Sequence, residues 1–424
     1  MNLKTADKHY VWHPFTQMKT HGEVIPVVKG EGIYLYSEDG RKIMDMVSSW
    51  WTNIHGHSNE ILAKAVYDQF LTLEHVIFAG FTHPKAAEIS KKICTQLSYL
   101  SKVFFSDNGS TAVEVGIKMA LQFWYNQGKE KRKVIAFKNA YHGDTFGAMS
   151  VGDRNAFNKP FQPFLFDVEF IDLPDENNIN SIKAQIQSIN KNNEVAAFIF
   201  EPLVQGAGGM NMYNAELLDK LVLFAKNQHI ICIADEVMTG FYRTGKCFAT
   251  DYLTNKPDIV CLSKGLTGGT MPLGITVCNE KIYNAFYSDD KYKTFFHGHS
   301  FTANPLACAV ACASFDLLLD AKTQTNIKNI INQHQQFAEE LKSNKKTGNI
   351  RQQGTIVAFD LLTSENTSYF NNIRDVIYQY FIDKNILIRP LGNTIYLMPP
   401  YCITTEELKV VYREIFTFLD HLKR

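Results

Sequence analysis

The 424-residue sequence predicts an α/β fold with a large domain around a mostly parallel sheet and a smaller α/β domain made from the chain ends. Two observations carry this. Between about 103 and 278, short β-rich runs alternate with helical stretches and glycine turns, the pattern of a sheet covered by helices. A chain this long also exceeds what one small core organises. The reading divides it into an N-terminal segment, 1–49, that joins the small domain, a large domain over 50–312, and a small C-terminal domain over 313–424.

The elements follow in order. Residues 32–46 read as a hairpin, "GIYLYS" and "RKIMDM" about an Asp39-Gly40 turn. Six sheet strands are expected at Val103–Phe105, Val134–Phe137, Ala197–Phe200, Ile230–Ala234, Ile259–Leu262 and Ile275–Val277. Asn304-Pro305 reads as an N-cap followed by proline in the first helical turn, opening "LACAVACASFDLLL". The tail predicts a helix near 369–383, strands near 386–389 and 394–398, and a last helix whose Thr404 and Glu407 fit a capping box.

Bulk composition narrows the function. Lys+Arg and Asp+Glu stand at 43 each, which argues against a nucleic-acid binder and against an anionic membrane as partner. The first residues lack an apolar leader core, and no apolar run reaches bilayer length. Eight scattered cysteines without a C-x-x-C suggest reduced thiols and a cytoplasmic protein.

In open α/β sheets ligands gather at the carboxyl ends of the strands. After "KVFFS" comes Asp107-Asn108-Gly109-Ser110-Thr111 and then a helix, a combination suited to an anion such as phosphate or to a plain N-cap. After "IICIA" stands Asp235-Glu236, and after "PDIVCLS" stands Lys264, ahead of glycines. A lysine at a buried strand end is unusual. With a carboxylate on a neighbouring strand end and an anion cradle, it matches what pyridoxal phosphate needs: an amine for the Schiff base and a partner for the pyridine nitrogen. A buried Asp–Lys ion pair is the plainer alternative.

Other motifs fail on their chemistry. "GFYRTGKC" at 240–247 has the P-loop spacing but puts Cys247 where magnesium needs a hydroxyl. "GAGG" at 206–209 lacks the dinucleotide spacing. The pairs His55/His57 and His297/His299 have no further ligands nearby in sequence, so no metal is expected. Trp50 and Trp51, two of only four tryptophans, stand together in "SSWWTNIHG". In an extended segment they would face opposite sides, one plugging a core and one covering a seam, or they would wall an apolar pocket.

Together, "DNGSTAVEVGIKMA", "YHGDTFGAMS", "EPLVQGAGGM", "ADEVMTGFYRTGK", "LSKGLTGG" and "HGHSFTANPLACA" resemble the class III pyridoxal-phosphate-dependent aminotransferases over nearly the whole chain. "VWHPFTQM", "SSWWTNIHGH" and "IRPLGNTIYLMPPY" resemble the branch that aminates 8-amino-7-oxononanoate in biotin biosynthesis. The resemblance implies fold type I with a seven-stranded sheet, and a homodimer with active sites at the subunit interface. It implies Lys264 as Schiff-base lysine and proton carrier and Asp235 as pyridinium partner. Gly109, Ser110, Tyr141 and His142 would hold the cofactor, with Ser300 reaching the phosphate from the other subunit. Trp50, Trp51, Tyr141, Gly298, Arg389 and Arg243 would meet the substrate, Arg389 taking its carboxylate and the tryptophans lining its methylene chain. The implied donor is S-adenosylmethionine, with lysine, or another ω-aminotransferase activity, as the alternative. Two departures fall in the donor region: Phe15 replaces the tyrosine of W-H-P-Y-T, and His299-Ser300 replace a usual Pro-Thr.

Overall fold

The computed structural model describes residues 2–363 and 371–422. Its largest sheet has seven strands, in spatial order Lys102–Ser106, Gly274–Cys278, Ile259–Leu262, Ile231–Asp235, Val195–Phe200, Lys133–Phe137 and Glu169–Ile171. Gly274–Cys278 runs antiparallel to both its neighbours, and the other pairings are parallel. All six expected strands are present, Ile259–Leu262 with the expected bounds and the others with ends within two residues of them. The seventh, Glu169–Ile171, is a three-residue edge strand with an exposed glutamate, too short for its apolar pattern to register in the sequence.

Both faces of this sheet are covered, so its central strands are apolar throughout rather than alternating. Ile231 and Ile233 pack with the helix Gly109–Asn126 in one cluster, through Ala112, Val113 and Ala120. Cys232 and Ala234, pointing the other way, join Phe198, Phe200 and Val260 in a second. Every residue of Val195–Phe200, Ile231–Asp235, Ile259–Leu262 and Gly274–Cys278 is buried.

The hairpin of Tyr34–Ser37 and Lys42–Asp45 forms as expected, flanked by Val27–Glu31. Its inner strand pairs in parallel with Ile386–Leu387, tying the N-terminal segment to the C-terminal part of the chain. The strand expected near 386–389 is shorter, Ile386–Leu387, and Pro390 beyond it has no N–H to offer a ladder. Thr347–Gln353, Ile356–Leu361 and Thr394–Leu397 make a separate three-stranded antiparallel sheet. The helix expected near 369–383 spans Ile373–Asp383, and positions 369 and 370 lie outside the described residues.

Both expected caps are in place. Asn304 accepts from Ala307 N–H at the start of Pro305–Leu319, and Thr404 and Glu407 form the reciprocal box at Thr405–His421. Cys308 and Cys312 are buried in the first of these helices. Among the described residues no helix is long and apolar enough to cross a membrane.

Candidate active site

The carboxyl ends of four parallel strands and the turn after a fifth open into one cavity of about 460 Å³. Lys102–Ser106 leads into the helix Gly109–Asn126. Asn108 caps that helix, accepting from Thr111 N–H at 3.0 Å, while Thr111 Oγ1 accepts from Asn108 N–H at 3.1 Å. A helix's first N–H groups have no acceptor within the helix, so Gly109 and Ser110 present two donors at a positive helix end. Gly274 lies so close beneath this turn that a Cβ on it would stand 2.2 Å from Asn108 O.

Lys133–Phe137 leads to Tyr141, His142 and Gly143. The 141–148 loop is held to the helix by Glu114, whose Oε1 accepts from Gly147 N–H at 2.6 Å, Ala148 N–H at 3.1 Å and the Thr145 hydroxyl at 2.5 Å. Ser110 Oγ accepts from Asp144 N–H at 3.2 Å. Gly143, at φ +132, packs where a Cβ would meet Ser110 Oγ at 2.1 Å. His142 is buried, its Nδ1 2.7 Å from Asp235 Oδ2, and its Nε2 has no hydrogen-bond partner among the described residues. The second oxygen of Asp235 accepts from Val237 N–H at 3.0 Å.

Lys264 follows Ile259–Leu262 by two residues and sits at φ +45, a conformation disfavoured for a residue with a side chain. Its Nζ lies 4.6 Å from the centre of the Trp51 ring. Burial lowers its pKa to about 8, against the opposing pull of the Asp235 and Glu201 carboxylates, while Arg243 adds to the lowering. Glu201, directly after Val195–Phe200, accepts from Tyr141 N–H at 3.1 Å and Gly206 N–H at 2.9 Å. Burial pushes its carboxyl up to about 7. Tyr141 closes one wall, its hydroxyl donating to Asp144 at 3.1 Å, and burial raises its pKa well above the ordinary value.

Of the residues singled out in the sequence, Lys264, Asp235, Gly109, Ser110, Tyr141, His142 and Trp51 line this cavity. Trp50, Arg389 and Arg243 do not, and Gly298 and Ser300 lie on an exposed loop. The tryptophans are not on an extended segment. Residues 48–51 form a tight kinked turn with Ser48, Ser49 and Trp51 at positive φ. Trp51 is 5% exposed, belongs to the core and lines the cavity, with Nε1 donating to the Tyr396 hydroxyl at 2.9 Å. Trp50, 39% exposed, points elsewhere, under the Arg389 guanidinium at 4.7 Å and against Phe15 at 5.5 Å. The neighbouring Ser48 is fully buried and donates to Met398 O, whereas Ser49 is exposed, so the turn straddles the edge of the core.

Arg243 is fully buried, donating to Pro399 O at 2.8 Å and lying 5.0 Å from the Tyr401 ring, with burial lowering its pKa. Two cavity-forming acids were overlooked in the sequence. Glu201 had the same signal as Asp235, an acid directly after an apolar strand, and Glu114 looked like an ordinary helix-surface residue.

The chemistry of the lining fits pyridoxal phosphate. A lysine amine of lowered basicity suits its aldehyde, an oriented carboxylate its ring nitrogen, and a helix start with glycine-tight packing its phosphate. Comparison with known proteins agrees. Residues 16–419 match the model of the class-III aminotransferase family. The adenosylmethionine-8-amino-7-oxononanoate aminotransferase of Synechococcus elongatus is 46% identical over 422 residues, 97% of this chain and 99% of that protein. Its Helicobacter pylori namesake is 38% identical over 100% of this chain and 99% of that one. The crystal structure of the Methanocaldococcus jannaschii enzyme of that name superposes with a TM-score of 0.94 at 34% identity, covering 100% of this chain and 99% of the other. A fold with a mostly parallel seven-stranded sheet, a cavity lined for pyridoxal phosphate and likeness over the full length agree: the chain belongs to the class-III aminotransferases.

Proposed function

We propose that this protein transfers an amino group from S-adenosylmethionine to 8-amino-7-oxononanoate, giving 7,8-diaminononanoate for biotin synthesis. The observation that carries the reading is Lys264, a lysine of lowered basicity facing the His142–Asp235 pair inside one cavity. Full-length likeness to the Synechococcus elongatus and Helicobacter pylori aminotransferases supports this choice of substrate.

When bound, pyridoxal phosphate supplies an electrophilic carbon and an electron sink, so that an amine can pass from donor to acceptor in two half-reactions. The rest of the chemistry belongs to the chain. Lys264 Nζ, near half-protonated at about pH 8, takes and returns protons as a base and an acid matched to neutral conditions. Asp235, fixed by His142 on one oxygen and Val237 N–H on the other, keeps a single orientation in the cavity and would pair with the cofactor's ring nitrogen. Gly109 and Ser110, at the helix start, would hold the phosphate, and Tyr141, on the cavity wall, would pack against the cofactor. The Arg389 guanidinium, held over the Trp50 ring, takes the substrate carboxylate in a bidentate contact, and Trp51 flanks the methylene chain inside the cavity. Arg243 backs the site from the buried side, lowering the basicity of Lys264 rather than touching the substrate.

The active unit is a homodimer in which the loop with Gly298 and Ser300 completes the partner's site. Exposed Ile61, Phe70, Leu71, Phe81, Phe296 and Phe301 support such an interface. The eight unpaired thiols suit a reducing cytoplasm.

The test is the visible absorbance of the cofactor-loaded protein mixed with single amines. Conversion by both diaminononanoate and S-adenosylmethionine is expected. Conversion by lysine in place of S-adenosylmethionine changes the donor alone. Conversion by 4-aminobutyrate with none by diaminononanoate overturns the substrate.

A further inference from the structure

Outside the cavity, the chain places a buried carboxylate and a half-buried imidazole against a strained turn. Asp45 ends the strand Lys42–Asp45 and is fully buried. Its Oδ2 accepts from the Ser49 hydroxyl at 2.9 Å and pairs with His57 Nε2 at 3.0 Å, and its Oδ1 accepts from Val47 N–H at 3.2 Å. His57 is confined in turn. Its backbone exchanges both hydrogen bonds with Gly32, Asn53 Nδ2 meets its Nδ1 at 3.1 Å, and a Cβ on Gly30 would stand 2.7 Å from the His57 Cβ.

Between the two lies the turn of residues 48–51. Three of its four residues, none a glycine, occupy left-handed backbone at φ 49, 60 and 68, a sparsely populated region that persists only where the surroundings over-determine it. This backbone sends adjacent indoles to different places, Trp51 into the cavity beside Lys264 and Trp50 out beneath Arg389. Hydrogen bonds from Met46 N–H to Leu387 O and from Met398 N–H to Met46 O tie the turn's entrance to the segments carrying Arg389 and Tyr396.

We propose that Asp45 and His57 are positioning residues that hold the Trp50–Trp51 turn in its left-handed form and so fix the spacing between the lysine end of the cavity and the arginine that receives the substrate carboxylate. The inference rests on the substrate reading above. Asp45 gathers donors from before the turn (Val47), within it (Ser49) and after it (His57), and so closes a loop across the strained backbone. Neither residue touches the cavity, so the effect falls on how substrate is held and not on proton transfer at Lys264.

The test compares Asp45→Ala, His57→Leu and His57→Gln, the last keeping a donor towards Asp45, in the full-length protein. For Asp45→Ala and His57→Leu we expect KM for the keto acid to rise by about tenfold or more, with kcat within about threefold. The near-UV circular dichroism of the cofactor-free protein should change as the indoles shift, and His57→Gln should recover both readouts. Should Asp45→Ala fail to fold, the two His57 variants decide. A lower melting temperature with KM and the near-UV signal unchanged overturns the proposal, since that is a merely structural role. A wild-type protein that does not turn over the keto acid defeats the substrate reading instead. The indole signals of the cofactor-free variants then decide this inference: altered supports it, unchanged overturns it.

Discussion

His142 and Asp235, 93 residues apart in sequence, meet at 2.7 Å between a buried imidazole Nδ1 and a buried carboxylate oxygen. The contact leaves Asp235 one orientation, because Val237 N–H holds the other oxygen. Removing the imidazole leaves the carboxylate free to rotate and opens its surroundings to water. His142→Ala is expected to lower kcat by about 10- to 100-fold, the usual worth of an outer partner that orients a working group. The visible absorbance of the loaded enzyme should shift as well, because the environment of the cofactor ring changes. An unchanged spectrum and rate would deny the pair its orienting role.

The lowered pKa of Lys264 has a consequence for the cofactor-free protein. Its amine falls from an ordinary 10.5 to about 8, chiefly through burial. Below pH 8 the folded chain carries a charged amine in a place that disfavours it. Between about 8 and 10.5 the unfolded chain binds the extra proton, so this group's contribution to stability rises with pH across that window. The penalty at pH 7 amounts to up to about 3 kcal/mol. Lys264→Met should therefore raise the melting temperature of the cofactor-free protein at pH 7. The gap should shrink above pH 8 and close near 10.5, as thermal melts across pH would reveal. In the loaded enzyme the same variant should bind cofactor and give no turnover.

How much of this was legible in the sequence follows the range of the interactions. The central strands of the large sheet announced themselves because burial on both faces makes them continuous apolar runs. Asp235 and Lys264 stood out because charge at the end of such a run is anomalous. Glu201 carried the same sign in "FIFEP". The long-range pairings carried none: nothing local tells that His142 meets Asp235, or that Glu114 caps the loop at 145–148. The left-handed backbone at 48–51 was not legible, because such backbone is signalled by glycine or asparagine, and here serine and tryptophan adopt it. Arg243 read as a substrate-pocket residue, yet it is 1% exposed, packed against Tyr401 and Pro399. Only the assembled C-terminal segment supplies those neighbours.

Gly143 offers a sharp steric test of the phosphate cradle. Its φ of +132 suits no residue with a side chain, and a Cβ there would overlap Ser110 Oγ at 2.1 Å. Gly143→Ala must move the 141–148 loop away from the helix start or displace Ser110. A loss of about 2 kcal/mol or more in stability is expected from the backbone strain and overpacking together. Affinity for pyridoxal phosphate should fall with it, measured by equilibrium dialysis of the folded variant. Gly22, which has open space around it, serves as the control: Gly22→Ala should leave both unchanged.

The carboxylate end of the substrate site rests on a stacked pair, the Arg389 guanidinium 4.7 Å from the Trp50 ring centre. A planar, delocalised cation both stacks on the indole and presents two parallel donors, and lysine can do neither in the same way. Arg389→Lys is therefore expected to raise KM for 8-amino-7-oxononanoate by about 10- to 100-fold, with kcat at saturation within a few-fold, because the contact is the same in ground and transition states. Trp50→Ala should raise KM by a smaller factor, about fivefold to tenfold, by removing the surface that holds the guanidinium flat. In the double variant the two effects should fall short of multiplying, since they act through one contact. A neutral analogue lacking the carboxylate should bind all these variants alike. If the Arg389→Lys enzyme discriminates between acid and neutral analogue as strongly as the parent, the carboxylate is held by another group, and Arg389 serves only to pack Trp50.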